Sequence, residues 1–196
     1  MDEIVKQAMA RWPDVPNCYG WLALDRRGQW RIRNEYAQQH GLSGDPVRNE
    51  ALVRFIERNY QRDAHGAWYF QNGPQRVFVA LGYAPWVARL HQGRLATTSG
   101  HALAPVACYA DEHGNVVLAC RMEEELTGAS GVQAVLLHDH DLDAFSSAST
   151  WHGEACGAAL GVFHHGSADL PIEPILDKEV PARFGFVRTP QAEPAG

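Results

Sequence analysis

Two histidines and two aspartates alternate in the run His138-Asp-His-Asp141, and these side chains could bind a metal ion. On a β-strand, alternate side chains share a face, so the pattern predicts that His138 and His140 point the same way. Two imidazoles so placed can bind Zn²⁺, Ni²⁺ or Fe²⁺ when further ligands converge on the ion. His152 and Glu154 would share a face of an extended segment downstream. The pattern therefore predicts a site for a divalent transition metal at His138, His140, His152 and Glu154.

A simpler interpretation of the same run needs no metal. The run would be the solvated end of a strand, with Asp141 capping the helix that follows, and short motifs often arise in this way by chance. Cys156 lies close in sequence to His152 and Glu154, which is also the composition of a thiol nucleophile. Free cysteines are more often buried apolar residues, so the sequence favours a structural Cys156.

The charges of the chain are divided unequally between its two halves. Residues 1–100 contain 13 Lys+Arg and 9 Asp+Glu, whereas residues 101–196 contain 4 and 14, which gives net charges of +4 and −10. Such sorting restricts what each half can contact. The isoelectric point near 5.9 argues against nucleic-acid binding by the chain as a whole.

A predicted helix carries part of the basic charge. Asp45-Pro46 is a typical helix start, and the apolar spacing that follows predicts a helix to about Arg62. The predicted basic surface combines three arginines of this helix with two from a strand: Arg31, Arg33, Arg54, Arg58 and Arg62.

Several interpretations of this basic surface stay open. It could be a solvated helix face in which Glu50 pairs with Arg54. It could complement the acidic half, within one chain or across a homodimer. It could also bind another protein, or an anionic ligand such as a phosphate or a carboxylate.

Short strands and turns dominate the rest of the chain. Turns such as Asp25-Arg-Arg-Gly28 and Asp111-Glu-His-Gly114 separate short apolar runs, which is typical of β-hairpins. The sequence therefore predicts an α+β fold, with a mainly antiparallel sheet built from several hairpins and flanked by a few helices. One domain over residues 1–188 is expected, alternatively as two packed halves that meet near residues 98–105, followed by a disordered tail at 189–196.

The cysteines and the apolar segments indicate the compartment. The four cysteines form no C-x-x-C pair, so a zinc ribbon or a thioredoxin-type motif is not expected. The N-terminus is acidic and lacks an apolar run, and the most apolar stretch, 77–88, is too short to span a membrane. We expect a cytoplasmic protein with free thiols and no membrane contact.

The chain resembles a family of conserved hypothetical proteins of proteobacteria that are classed as domains of unknown function. Two stretches carry the resemblance, Phe70-Gln-Asn-Gly-Pro-Gln-Arg-Val77 and Arg183-Phe-Gly-Phe-Val187. The resemblance implies no activity, cofactor or functional residue. From the residues themselves we favour a non-enzymatic cytoplasmic protein that binds a ligand or a partner. The alternative is a metal-dependent enzyme that uses His138 and His140.

Overall fold

The computed structural model describes residues 1–122, 131–152 and 159–192. These residues form two compact units. Residues 1–83 and 185–192 belong to the first unit, and residues 84–122, 131–152 and 159–184 belong to the second. The chain passes from the first unit to the second between Tyr83 and Ala84 and returns to the first between Phe184 and Gly185, and residues 98–105 lie inside the second unit.

The first unit contains a six-stranded sheet with the order β3-β2-β1-β6-β5-β4. Its strands are β1 (Cys18–Leu24), β2 (Trp30–Ile32), β3 (Asp45–Pro46), β4 (Tyr60–Arg62), β5 (Trp68–Asn72) and β6 (Gln75–Leu81). The pairing of β1 with β6 is parallel, and it joins a hairpin at each side into one sheet. This pairing gives β1 a neighbour on both edges, and Leu22 and Leu24, which share one face of the strand, are buried.

Among the described residues, three helices accompany this sheet: α1 (Glu3–Arg11), α2 (Glu35–Gln39) and α3 (Glu50–Arg58). The helices begin where short polar side chains satisfy free backbone N–H groups. Asn34 accepts a hydrogen bond from the amide of Ala37, and Asn49 accepts one from the amide of Leu52. The third helix therefore begins at Glu50.

The predicted helix from Asp45 to Arg62 is wrong at both ends. Asp45-Pro46 pairs with the strand β2, so these residues continue a sheet instead of starting a helix. At the other end, Tyr60 begins β4 and its ring contacts Trp30 and Trp68, with centroids 5.1 and 4.7 Å away. Burial of this large aromatic ring outweighs the helical periodicity of the sequence.

The second unit contains an eight-stranded sheet with the order β12-β13-β14-β9-β10-β11-β7-β8. Its strands are β7 (Trp86–His91), β8 (Arg94–Thr97), β9 (Ala104–Ala110), β10 (Val116–Arg121), β11 (Val132–Leu137), β12 (Ser149–Trp151), β13 (Gly161–His165) and β14 (Ala168–Pro174). The described part of this unit also has two short helices, α4 (Leu142–Ser147) and α5 (Val180–Phe184).

The centre of the second sheet is apolar on both faces. Val117, Leu118 and Val135 are fully buried on neighbouring strands. Each contributes about 1.5–3 kcal/mol relative to an exposed side chain. This rigid centre holds the two ends of the sheet, where the polar side chains described below lie.

The predicted fold class is confirmed, because helices and hairpin-rich sheets together make an α+β fold. The strands of the described residues form two sheets, and both sheets are mixed. Parallel pairs join β1 to β6, β7 to β11 and β9 to β14. Over the described ranges, every helix is too short or too polar to cross a membrane.

Candidate functional site

A cleft of about 570 Å³ opens on the first unit, and we call it the Arg76 cleft. It falls in the usual size range of small-molecule sites. Polar and apolar groups from two strands, one turn and the C-terminal segment line it: Asn17, Tyr19, Asp63, His65, Ala67, Arg76, Phe78, Val187, Pro190, Gln191 and Ala192.

Two stacked aromatic rings form an apolar wall of the Arg76 cleft. Tyr19 on β1 and Phe78 on β6 lie with ring centroids 4.6 Å apart and planes inclined by 2°. The parallel pairing of these two strands brings the rings together, although they are far apart in sequence. Phe78 is buried against Tyr69 and Ala67, so the aromatic wall packs on a hydrophobic cluster of the first unit.

Arg76 is the cation of the cleft. Its guanidinium carbon lies 4.7 Å from the centroid of the Tyr69 ring, which fixes the planar group by a cation–π contact. Among the described residues, no carboxylate lies within ion-pair distance of the Arg76 guanidinium. The guanidinium donates no hydrogen bond to any of these residues. Burial of Tyr69 raises the pKa of its phenol, and the charge of Arg76 opposes this change.

A tight turn presents Asp63 and His65 to the same cleft. One carboxylate oxygen of Asp63 accepts the amide N–H groups of His65 and Ala67, at 2.9 and 2.8 Å. The turn is further held by Val187, whose amide donates to the carbonyl of Gly66. The cleft thus combines an aromatic wall, a cation and a carboxylate, which can together hold a planar ligand that bears an anionic group.

Sequence reasoning missed this cleft, although one signal was present. The stretch Phe70–Val77, which carries the family resemblance, ends in the hairpin that holds Arg76. The other lining residues come together only through pairing of distant strands, and neither composition nor local spacing reports that pairing.

The predicted metal ligands are only partly brought together. His138, Asp139 and His140 offer ligand atoms that all lie within 4.8 Å of one another. The two imidazoles meet because of a turn and not because of strand alternation. The strand β11 ends at Leu137, and a 3₁₀ turn at Asp139–Asp141 brings the ring centroids of the two histidines to 4.8 Å.

His138 is the buried member of this His138–His140 cluster. Its Nδ1 accepts the amide N–H of His140 at 3.1 Å, and the same nitrogen lies 2.9 Å from a carboxylate oxygen of Asp139. Burial and the nearby charge of Arg89 lower the pKa of His138 below its ordinary value. The ring is therefore favoured in its neutral form, which is the form that binds metals.

The other two predicted ligands do not join this cluster. His152 is exposed just beyond β12, and its amide donates to the carbonyl of Leu160. Of the described residues, only His138, Asp139 and His140 form a group of three such ligands. Glu154, like Cys156, lies outside the described residues.

The expected capping role of Asp141 is wrong. Its side chain makes no hydrogen bond to the start of α4. Instead it accepts two hydrogen bonds from Arg89 and one from the amide of Leu90, so it ties the turn to β7. An ionised guanidinium is a stronger donor than a backbone amide, which favours this partner.

Comparison with known proteins places the chain in a family. The family model DUF2944, described as "Protein of unknown function (DUF2946)", matches residues 1–191. The chain belongs to this family. The predicted resemblance to an uncharacterised family is therefore confirmed. No curated protein matches the chain.

One solved structure is similar to this member of the DUF2944 family. It is a crystal structure of a DUF1285 family protein from Silicibacter pomeroyi DSS-3, with a TM-score of 0.51 and 13% sequence identity. The similarity covers 88% of this chain and 96% of that chain. At this level of identity the likeness concerns the fold alone.

Four of the five arginines of the predicted basic surface have local partners in this family member. Arg54 and Arg58 lie one turn apart on α3, where Arg54 pairs with Glu50 at 3.3 Å and Arg58 pairs with Asp2 at 3.1 Å. The hydrogen bonds from Arg58 lower the pKa of Asp2. Arg62 lies on β4 instead of the helix, and its Nε is buried without a hydrogen-bond partner.

The remaining two arginines lie near the turn after β1. Arg31 pairs with Asp25 at 2.7 Å, and the Nε of Arg33 donates to the carbonyl of Leu42. Both line a second cleft, of about 250 Å³, together with Asp25. Because Asp25 neutralises Arg31, this cleft offers an anion less positive charge than the count of arginines suggests.

Proposed function

We propose that the Arg76 cleft of this chain is a non-enzymatic binding site for a small planar organic anion. The observation that carries the proposal is the position of Arg76. A guanidinium with no carboxylate partner among the described residues lines a cleft whose wall is the Tyr19–Phe78 aromatic pair. A planar ligand can stack against that wall while its anionic group accepts hydrogen bonds from the guanidinium.

The chemistry of arginine favours a carboxylate or a phosphate as that anionic group. The guanidinium is a planar fork that donates two parallel hydrogen bonds to such a group, and such bonds are about twice as strong as neutral ones. The contact with Tyr69 leaves the edges of the fork available for donation. Asp63 would repel the anion, so the anion is expected on the Arg76 side and hydroxyl or amine donors on the Asp63 side.

Direct binding measurements with 2-naphthoate test the proposal. We expect saturable binding in calorimetry, together with shifts of the Tyr19 and Phe78 ring resonances in NMR spectra. Arg76→Gln should weaken the affinity about tenfold or more, since it removes one charge-assisted pair. The uncharged 2-naphthamide should bind the native chain as weakly as 2-naphthoate binds the variant.

Arg54→Gln is the matched control, because Arg54 is an exposed arginine on α3 whose partner, Glu50, is exposed as well. This variant should bind 2-naphthoate as the native chain does. Equal affinities of the Arg76→Gln and native proteins would overturn the proposal, and so would ring shifts confined to residues outside the Arg76 cleft.

A cytoplasmic location is part of the same proposal. Cys108 and Cys120 are buried on the neighbouring strands β9 and β10, and both are free thiols. Free thiols at such positions fit a reducing compartment.

A second candidate function is the binding of a divalent transition metal by the His138–His140 cluster. The proximity of three ligand residues favours it, since His138, Asp139 and His140 offer ligand atoms that all lie within 4.8 Å of one another. Nδ1 of His138 lies 2.9 Å from a carboxylate oxygen of Asp139. The amide N–H of His140 donates to both of these atoms, at 3.1 and 3.0 Å, so a metal ion would replace this shared hydrogen. Two ligands at right angles around a metal lie about 3 Å apart, given metal–ligand distances of about 2.1 Å.

Calorimetry with Ni²⁺ and Zn²⁺ on metal-free, untagged protein tests this second candidate. We expect about one equivalent to bind, because a single cluster supplies the ligands. His140→Ala should abolish that binding, whereas His113→Ala, a change of an exposed histidine in a hairpin turn, should leave it unchanged. Equal binding by the two variants, or none by the native chain, would exclude the cluster as a metal site.

A further inference from the structure

Three polar side chains form a hydrogen-bonded row across neighbouring strands at one end of the second sheet. Thr150 lies on β12, His164 on β13 and Asp169 on β14. The hydroxyl oxygen of Thr150 lies 2.9 Å from Nε2 of His164, and Nδ1 of that ring lies 2.7 Å from a carboxylate oxygen of Asp169. We call these three residues the Thr150 row.

The hydrogen bonds fix the direction of the protons in this row. An ionised carboxylate only accepts, so Nδ1 of His164 must donate to Asp169. In the neutral ring Nε2 then carries no proton and accepts the hydroxyl hydrogen of Thr150. A hydroxyl, a base and a carboxylate that orients the base stand in the order that nucleophilic catalysis requires.

The backbone holds the row in place. The register pairs Thr150 with Val162 and His164 with Asp169. The amide of His164 also donates to the carbonyl of Ala148. The base is thus fixed from both neighbouring strands, which preserves the two short hydrogen bonds without help from a loop.

The row is open to a substrate. The side chain of His164 is 48% exposed, Thr150 is exposed as well, and β12 is an edge strand of the sheet. The outer side of an edge strand carries backbone N–H groups outside the ladder, and these can donate to a developing oxyanion. The cavity of about 120 Å³ that His164 lines does not have Thr150 among its lining residues, so the attacked ester would lie on the open surface of the row.

We infer that the Thr150 row is an acyl-transfer site for small carboxylic esters, a property independent of the Arg76 cleft. The hydroxyl oxygen of Thr150 attacks the ester carbonyl carbon, and Nε2 of His164 takes the hydroxyl proton. The ester C–O bond then breaks, and the imidazolium returns the proton to the departing alcohol. Water repeats the sequence at the acyl-threonine and releases the carboxylic acid, which restores the hydroxyl.

Two probes test the inference on the full-length chain. A fluorophosphonate should attach covalently at Thr150, with loss of fluoride, and peptide mass mapping should locate the adduct there. With p-nitrophenyl acetate the protein should release p-nitrophenol and acquire an acetyl group on the same residue. Thr150→Ala should abolish both adducts, whereas Thr150→Ser should retain them, because serine keeps the hydroxyl.

The base and its orienting carboxylate give further readouts. His164→Gln should slow labelling about a hundredfold, the usual contribution of a positioned base. Asp169→Asn should also slow it, because an amide no longer fixes the tautomer of the ring. The three side chains are exposed, so these variants should keep the native melting temperature. Ser147→Ala, a change of an exposed hydroxyl on α4, is the matched control and should label like the native chain.

Three results would contradict the inference. If Thr150 takes up no label, or if His164→Gln labels as fast as the native chain, the row only connects three strands and the inference is wrong. Labels that map to His164 or to other residues would have the same meaning.

Discussion

Asp141 and Arg89 form a two-point ion pair that joins the turn after β11 to the strand β7. The guanidinium Nε and a terminal nitrogen of Arg89 lie 2.7 and 3.1 Å from the two carboxylate oxygens. The side chain of Asp141 is 10% exposed and that of Arg89 is 48% exposed, so the carboxylate is the buried partner. The amide of Leu90 donates to the same carboxylate at 2.9 Å. This pair therefore positions the neighbouring His138–His140 cluster.

Replacement of Asp141 by alanine is expected to lower the free energy of unfolding by about 2–3 kcal/mol. The change leaves the buried amide of Leu90 without its acceptor and the guanidinium of Arg89 without its partner. Urea denaturation measures the loss. Asp143→Ala, a change of an exposed carboxylate on α4, should stay within about 0.5 kcal/mol of the native value.

The effect of Asp141 should also depend on pH. Burial alone would raise the pKa of Asp141, but the hydrogen bonds from Arg89 and Leu90 outweigh it, and the net pKa is lowered. A lowered folded-state pKa gives stability that is complete above the ordinary value of 3.8 and is lost as the pH falls through the folded-state value. The difference between the native and Asp141→Ala proteins should therefore shrink in acid. A constant difference down to the lowest pH would contradict the ion-pair account.

Gly66 and Gly114 offer a matched pair of glycines for a test of the turn beside the Arg76 cleft. Both follow an aspartate by three residues in the same kind of turn, and their φ angles are +86° and +79°. A Cβ on Gly66 would collide with the carbonyl of Gly185, whereas a Cβ on Gly114 would meet open space. We expect Gly66→Ala to cost about 2 kcal/mol or more and Gly114→Ala about 1 kcal/mol, the usual penalty of a side chain at positive φ.

Thermal denaturation of these two variants measures the difference, and 2-naphthoate affinity reports on the cleft. Gly66→Ala should weaken that affinity, because the carbonyl of Gly66 accepts the amide of Val187, a residue that lines the cleft. Equal losses of stability in the two variants would mean that the contact with Gly185 does not constrain the turn.

The thiols are expected to be free but unequal in reactivity. Burial raises the pKa of Cys108 and of Cys120 to about 12, and their mutual repulsion adds to the effect at Cys108. Cys18 is only half-buried, and burial raises the pKa of its thiol as well. In a Cys156→Ser background, Ellman's reagent should therefore modify Cys18 in the native state well before Cys108 and Cys120.

Titration of the denatured native-sequence chain, prepared without reductant, should count all four cysteines as thiols. A count of two would overturn both the thiol prediction and the proposed cytoplasmic location. A native state in which Cys108 reacts as fast as Cys18 would contradict the burial of the β9–β10 pair.

The hairpins could be predicted from the sequence because their signals are local. In the turns that begin at Asp25 and Asp111, the aspartate accepts amides two and four residues ahead, as the Asp-x-x-Gly pattern indicates. The same turn begins at Asp63. It was missed because the helical periodicity before it predicted a helix that ran to Arg62.

The remaining features depend on residues that are distant in sequence. Asp141 meets Arg89 across 52 positions, and a cap on the adjacent helix was the nearer alternative for its carboxylate. The parallel pairing of β1 with β6 creates the Tyr19–Phe78 wall, and no local pattern reports a parallel pair. The two histidines at 138 and 140 were predicted to lie together and do, but through a turn that the strand pattern did not indicate.

Replacement of each arginine of the predicted basic surface by glutamate is expected to change the stability of the protein by a different amount. Arg54 is exposed and its pair with Glu50 is a surface ion pair, which contributes about 0–1 kcal/mol at most. Arg54→Glu should therefore change the melting temperature little. Arg62→Glu should destabilise the first unit clearly, because its Nε is buried and a carboxylate there would lack a hydrogen-bond donor.

Arg58→Glu should give an intermediate loss, because Arg58 donates three hydrogen bonds to the carboxylate of Asp2 at the start of α1. Melting curves at low and high salt distinguish the three variants, since salt screens the exposed pairs and leaves the buried group unaffected. Three equal and small losses would place Arg62 on the surface with the other two. That outcome would restore the continuous basic stripe that the helical periodicity predicts, and with it the stripe's ability to steer an acidic partner.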